Sequence, residues 1–175
     1  MLGGAVLPII SVTGLIGKLG NLATLVLALS MIPLALALHQ LHSGFKPGLS
    51  LAAALIGVLG MLSTTSLQFF LLLDIVQPTG VADRVDDISF AVIGVWLILS
   101  GHLGQRSRNV QAGLNGIAIF AGVGMILVTT GFLISEPPPL WGFAGGVLAI
   151  IAYPIWAISL GRKLLSDRTF WQPSG

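Results

Sequence analysis

Three groups of residues in this 175-residue chain have types and spacings that bear on chemistry. The first is the polar run in GMLSTTSLQFFLLLD, residues 60–74, where Ser63, Thr64, Thr65, Ser66 and Gln68 interrupt an otherwise apolar stretch. Thr64 and Gln68, together with Thr129 and Thr130 from a later apolar run, are the candidate ligand-binding residues. Asn21 and Thr24 of an earlier run belong to the same depth. Neutral hydroxyl and amide groups beside Phe69, Phe70 and Phe132 suit an amphiphile, such as a lipid or quinone headgroup, and suit an ion poorly. The second group is His39, His42 and His102. His39 and His102 each end an apolar run, and two imidazoles that meet can serve as axial ligands of a haem. The third is Asp83, Asp86 and Asp87, whose oxygens suit a hard cation. No glycine-turn loop with alternating ligand positions accompanies them, so solvated charges on a short helix are the simpler account.

The missing residues narrow the chemistry further. There is no cysteine, which excludes disulfides, thiolate metal sites and cysteine nucleophiles. No G-x-S-x-G elbow and no H-E-x-x-H occurs. No Asp, Glu, Lys or Arg lies near the middle of an apolar run, where ion- and proton-coupled transporters place a group that carries charge. The sequence therefore predicts a protein that is not an enzyme, with no catalytic residues, no metal and no cofactor.

The elements that must position these groups are membrane helices. Hydrophobic residues make up 55% of the chain and charged residues 8%, against about 25% charged in soluble domains. The mean hydropathy is +0.99. Such a chain cannot cover a water-facing surface, and runs without strand alternation can cross lipid only as helices. The fold class is all-α, a single integral membrane helical bundle of five to six transmembrane helices over residues 1–175. The spans are 19–38 (carrying Pro33), 49–73, 88–103, 114–134 and 140–160. Residues 2–17 lack the basic flank and cleavage site of a signal peptide and are expected to be retained. They are short of the ~20 residues of a full span and form either an extra short helix or a segment against the bundle. If they cross, the count is six with both termini cytoplasmic, which is the reading preferred from the sequence.

Loop charges set the orientation. Lys46, Arg106, Arg108, Arg162, Lys163 and Arg168 fall on one side, six of the eight basic residues, and the positive-inside rule makes that side cytoplasmic. The loops with Asp74, Asp83, Asp86, Asp87 and Glu136 face out. The C-terminus is cytoplasmic and the location is the cell (inner) membrane. Val81, Val85 and Ile88 repeat at i, i+4 and i+7, which predicts a short amphipathic helix on the outer surface running into the third span. The prolines of EPPP form a stiff connector. Pro154 bends the last span, Tyr153 and Trp156 are expected near the inner interface as anchors, and Phe170 and Trp171 rest on the inner surface.

Ala53, Gly57, Gly60, Thr64 and Gln68 fall within roughly 80° on a helical wheel. Gly142 and Gly146 make a GxxxG pair, and Ala118 and Gly122 a matching surface. Small residues allow close helix approach, so Gly57, Gly60, Gly142 and Gly146 are expected to pack against neighbours, including a protein partner or a second copy. Besides these the partner is the lipid bilayer; the dispersed basic residues give no nucleic-acid surface.

The stretch from GVWLILSGHLGQRSRNVQAGLNGIAIFAGVGMIL through YPIWAISLGRKLL, with ALHQL at 37–41, resembles a family of small bacterial inner-membrane proteins of unknown function with about six helices. The resemblance implies a fold and a location and no catalytic residues. Two functions stay open. One is an accessory or scaffold subunit of a membrane complex; the other is binding or transport of a neutral or lipophilic small molecule through an outer-half polar pocket.

Overall fold

The protein is seen in a computed structural model that describes the backbone of residues 6–77, 80–107 and 110–166, and side chains from residue 14 onward within those ranges. Five helices follow in order: α1 (Val6–Ser43), α2 (Pro47–Leu72), α3 (Val81–Ser107), α4 (Ala112–Ile134) and α5 (Leu140–Ser166). Each is long and apolar enough to cross a membrane, so the chain is a multi-pass helical membrane protein. The Phe170 and Trp171 expectation lies outside the described residues, as do residues 2–5 of the proposed first span.

The helix count differs from six for a specific reason. Residues 6–17 do not turn back to make their own crossing; they continue straight into the following span as one helix of 38 residues. At 1.5 Å per residue α1 is about 57 Å long, nearly twice the ~30 Å of a bilayer core. Lys18 Nζ meets Asp74 Oδ2 at 2.6 Å just beyond the end of α2, so residues 6–17 rise past the rest of the bundle. Gly14, Gly17 and Gly20 lie inside this helix, since isolated glycines in a helix cost only about 1 kcal/mol each.

The third span also lengthens. The expected surface helix and the span are one element, and the Val81, Val85 and Ile88 stripe points outward, 78%, 39% and 53% exposed. Ala82, Ser89 and Ile93 turn inward instead. In lipid an apolar stripe is no sign of a core-facing surface, because the solvent is itself apolar.

Small residues share the interior with a few large ones, while many large aliphatic side chains look out. Ala35, Ala53, Ala118 and Ala121 are buried, whereas Leu55, Leu59, Ile150 and Ile158 are more than half exposed. Successive helices pack side by side, and α3 also touches α1. Trp96 and Leu97 of α3 are wholly buried. The Trp96 ring lies over Gly57, where a Cβ would stand 2.6 Å from its Cγ. Between α3 and α4 the backbones touch at Gly94 and Gly122. Between α4 and α5 they touch at Gly124 with Gly145, and at Gly131 with Gly142 beside Pro138.

The expectation that Gly57, Gly60, Gly142 and Gly146 serve an outside partner is therefore corrected. Gly57, Gly60 and Gly142 are buried under Trp96, Ile93 and Gly131 of the same chain, and Gly146 sits 3.2 Å, by its notional Cβ, from Val128. These faces are already occupied by the chain's own helices.

Candidate functional site

The stripe on α2 meets α3 along a polar seam. Ser89 Oγ donates to the Val85 carbonyl at 2.7 Å and is paired with the Ser63 hydroxyl at 2.8 Å. One turn further, Gln68 Nε2 donates to Asp86 Oδ2 at 3.1 Å. Thr64 is 1% exposed and Gln68 4%. Three buried atoms of the seam, Thr64 Oγ1, Gln68 Oε1 and Asp86 Oδ1, have no partner, nor does Thr65 Oγ1 on α2. Of the polar run of α2, Ser63 and Gln68 hold α3 by hydrogen bonds.

Thr129 lies elsewhere. Its Oγ1 donates to the Asp87 carbonyl at 2.9 Å, tying α4 to the next residue of α3. Thr130 is exposed, and its hydroxyl turns back to the Ile126 carbonyl at 2.7 Å. The four candidate residues thus do not form one pocket. Thr64 and Gln68 lie in the α2–α3 seam, Thr129 faces a second region, and Thr130 faces outward.

That second region is a cleft between the first and last helices. α1 and α5 stand on either side of a cavity of about 390 Å³ whose floor is α3 and α4. Thr24 and Leu27 of α1, Phe90 of α3, Thr129 of α4, and Ala149 and Tyr153 of α5 line it, with Asp87 at the acidic-loop end. Beyond Leu27 and Pro154 it continues as a hollow of about 350 Å³ past Leu34 and Ile158. Leu27, Phe132 and Ile150 in the walls are exposed, so the cleft opens sideways. Towards the basic-loop end the space between Leu38 and Trp156 leaves no room for a water.

Tyr153 and Trp156 are not interfacial anchors. Tyr153 is 7% and Trp156 2% exposed. Trp156 meets Trp96 edge-on, centroids 5.7 Å apart at 78°, and Tyr153 stacks on Trp156 at 6.3 Å and 22°. Aromatic pairs in such geometries contribute about 0.5–1.5 kcal/mol beyond their burial. Pro154 has no N–H, so the Ile150 carbonyl lacks its donor in the helix ladder. Both residues lie in the cleft wall. The sequence signal for this site was Pro154 itself, the neighbour of the chain's single tyrosine.

The histidines are not arranged for haem. His39 Nδ1 pairs with Ser50 Oγ at 2.9 Å, and that hydroxyl also lies 3.0 Å from the His39 carbonyl. His102 is exposed on another face. His42 is 2% exposed with Nε2 unpaired, beside a slit too small for a water. Among the described residues no group of three or more His, Asp or Glu is placed to hold a metal.

No family model matches the chain, and neither a curated protein nor a solved structure does. The fold itself defines the class, a multi-spanning helical membrane protein. The resemblance to the small bacterial family extends no further than that.

Proposed function

We propose that the protein is a non-enzymatic binding protein that takes a neutral, lipophilic molecule from the bilayer into the cleft between α1 and α5. The cavity of about 390 Å³ supports this reading, since it falls in the range of about 300–1,000 Å³ typical of ligand sites. Its sideways opening suits a ligand dissolved in lipid, and its one carboxylate, Asp87, disfavours an anionic one. Under the positive-inside rule the basic loops are cytoplasmic, which puts Asp87 in the outer half of the membrane.

The test is native mass spectrometry of protein gently extracted from its own membrane. Leu27→Trp fills the cleft from its exposed side, and Leu59→Trp adds the same bulk to an exposed position on α2 away from it. The expected result is a small-molecule mass increment on the wild type and on Leu59→Trp that is missing from Leu27→Trp. No increment on the wild type, or equal increments on both variants, overturns the reading.

A second reading, accessory subunit of a membrane complex, draws on α1 alone. Its extension past α2 leaves Leu15, Ile16 and Leu19 more than half exposed. In the same experiment it predicts an increment of polypeptide mass that is lost from Leu15→Lys/Leu19→Lys.

A further inference from the structure

Deep in the cleft, away from Asp87 at its acidic-loop end, the polar group left unspent is the Tyr153 hydroxyl. Tyr153 is 93% shielded, lines the cavity, and makes no hydrogen bond to any described residue. A buried phenol ordinarily finds a partner. This one cannot reach the membrane surface, because residue 153 is midway along α5 and about 20 Å from either end of that helix. Nor is its ring free to turn away: it stacks on Trp156, which is itself pinned against Trp96. The missing partner therefore has to arrive with whatever fills the cavity.

That requirement separates ligand classes. A plain acyl chain carries no acceptor at this depth, and ester carbonyls of glycerolipids stay near the headgroups. A fatty-acid anion would bring its charge towards Asp87, which has Asp83 on the same helix and Glu136 nearby. An uncharged ring with a carbonyl oxygen and an apolar tail meets each condition. It enters from the side, rests against Phe90, and places one acceptor deep in the bilayer.

We propose that the α1–α5 cavity takes a lipophilic ring carbonyl of the quinone class, with one carbonyl oxygen accepting a hydrogen bond from the Tyr153 hydroxyl. The inference rests on the cleft being a ligand site, as proposed above. The Ile150 carbonyl, left without its helix donor by Pro154, adds an acceptor one turn away that a ring hydroxyl would use.

The experiment uses the full chain in quinone-free lipid nanodiscs, titrated with decylbenzoquinone and separately with decylbenzene, which has the same tail and no carbonyl. Wild type is expected to bind the quinone at least tenfold more tightly than the hydrocarbon, and Tyr153→Phe to lose about that factor. The carbonyl stretch of bound quinone should lie at lower frequency in wild type than in Tyr153→Phe, a signature that loss of packing would not produce. Equal affinity for the two probes, or unchanged quinone affinity and carbonyl stretch in Tyr153→Phe, overturns the assignment. If both probes bind equally and Leu27→Trp blocks both, the cleft stands as a site and only the carbonyl assignment falls. If neither binds wild type, the cleft reading falls and takes this one with it.

Discussion

Gln68 and Asp86 are joined across the α2–α3 seam by a 3.1 Å bond from Nε2 to Oδ2, and the remaining oxygen of each is buried and unpaired. The two groups are mutually dependent, since Gln68 is the donor that the Asp86 carboxyl has within the seam. Gln68→Leu removes that donor and is expected to cost about 1–3 kcal/mol. Gln68→Leu/Asp86→Leu, which removes both partners, should recover most of that loss. Equilibrium unfolding of the four proteins of this cycle in mixed micelles measures the coupling. Because Gln68 does not line the α1–α5 cleft, the single variant should retain ligand as well as wild type does.

Glycines of the same chain are expected to respond oppositely to the same substitution. A Cβ at Gly57 would stand 2.6 Å from the Trp96 ring, which is itself wholly buried and in contact with Trp156. Gly57→Ala must push that ring aside, and overpacking of this kind costs about 1–3 kcal/mol. Gly116 in α4 has nothing within 4 Å of its notional Cβ. Gly116→Ala should stabilise by about 0.5–1 kcal/mol, because glycine is the poorer helix former. A shift of tryptophan emission on Gly57→Ala, and none on Gly116→Ala, would tie the difference to Trp96. Equal loss in both variants would show that the packing at Gly57 is not the cause.

The helices were legible because the solvent that selects them is apolar: runs such as 114–134 and 140–160 cannot be anything else in a bilayer. The stripe Ala53, Gly57, Gly60, Thr64 and Gln68 was legible too, and all five are buried as their angular spacing predicts. What failed were inferences that borrow the logic of water. Val81, Val85 and Ile88, expected on a separate short surface helix, lie on the first turns of α3 itself and face outward. Tyr153 and Trp156, read as interfacial rings, are buried among aromatic neighbours on α3 and α5. The glycine pairs announced close contact, but a single sequence does not say whether the facing helix belongs to the same chain. The cleft was beyond reach for a related reason. Its walls come from the first and last helices, and their lateral relationship depends on how all five pack. Thr129 and Phe132 were within view as outer-half residues, yet their separation from Thr64 and Gln68 follows only from α3 standing between α2 and α4.

Loop charge together with the helix count predicts an orientation that can be tested directly. With residues 6–17 continuous with α1, the five crossings put the start of α1 on the acidic-loop side and the end of α5 on the basic side. The positive-inside rule then predicts Lys46, Arg106 and Lys163 in the cytoplasm and Glu136 outside. The chain has no cysteine, so single substitutions report without background. Glu136→Cys and Gly44→Cys sit in exposed connections at opposite ends of the bundle. On intact cells a membrane-impermeant maleimide should label Glu136→Cys directly and Gly44→Cys only after permeabilisation. The reverse pattern would move Asp87 and the acidic end of the cleft to the inner half of the membrane, and a ligand entering there would come from the inner leaflet. Labelling of both without permeabilisation would mean that the chain inserts in two orientations, and the cleft would then face each leaflet in part of the population.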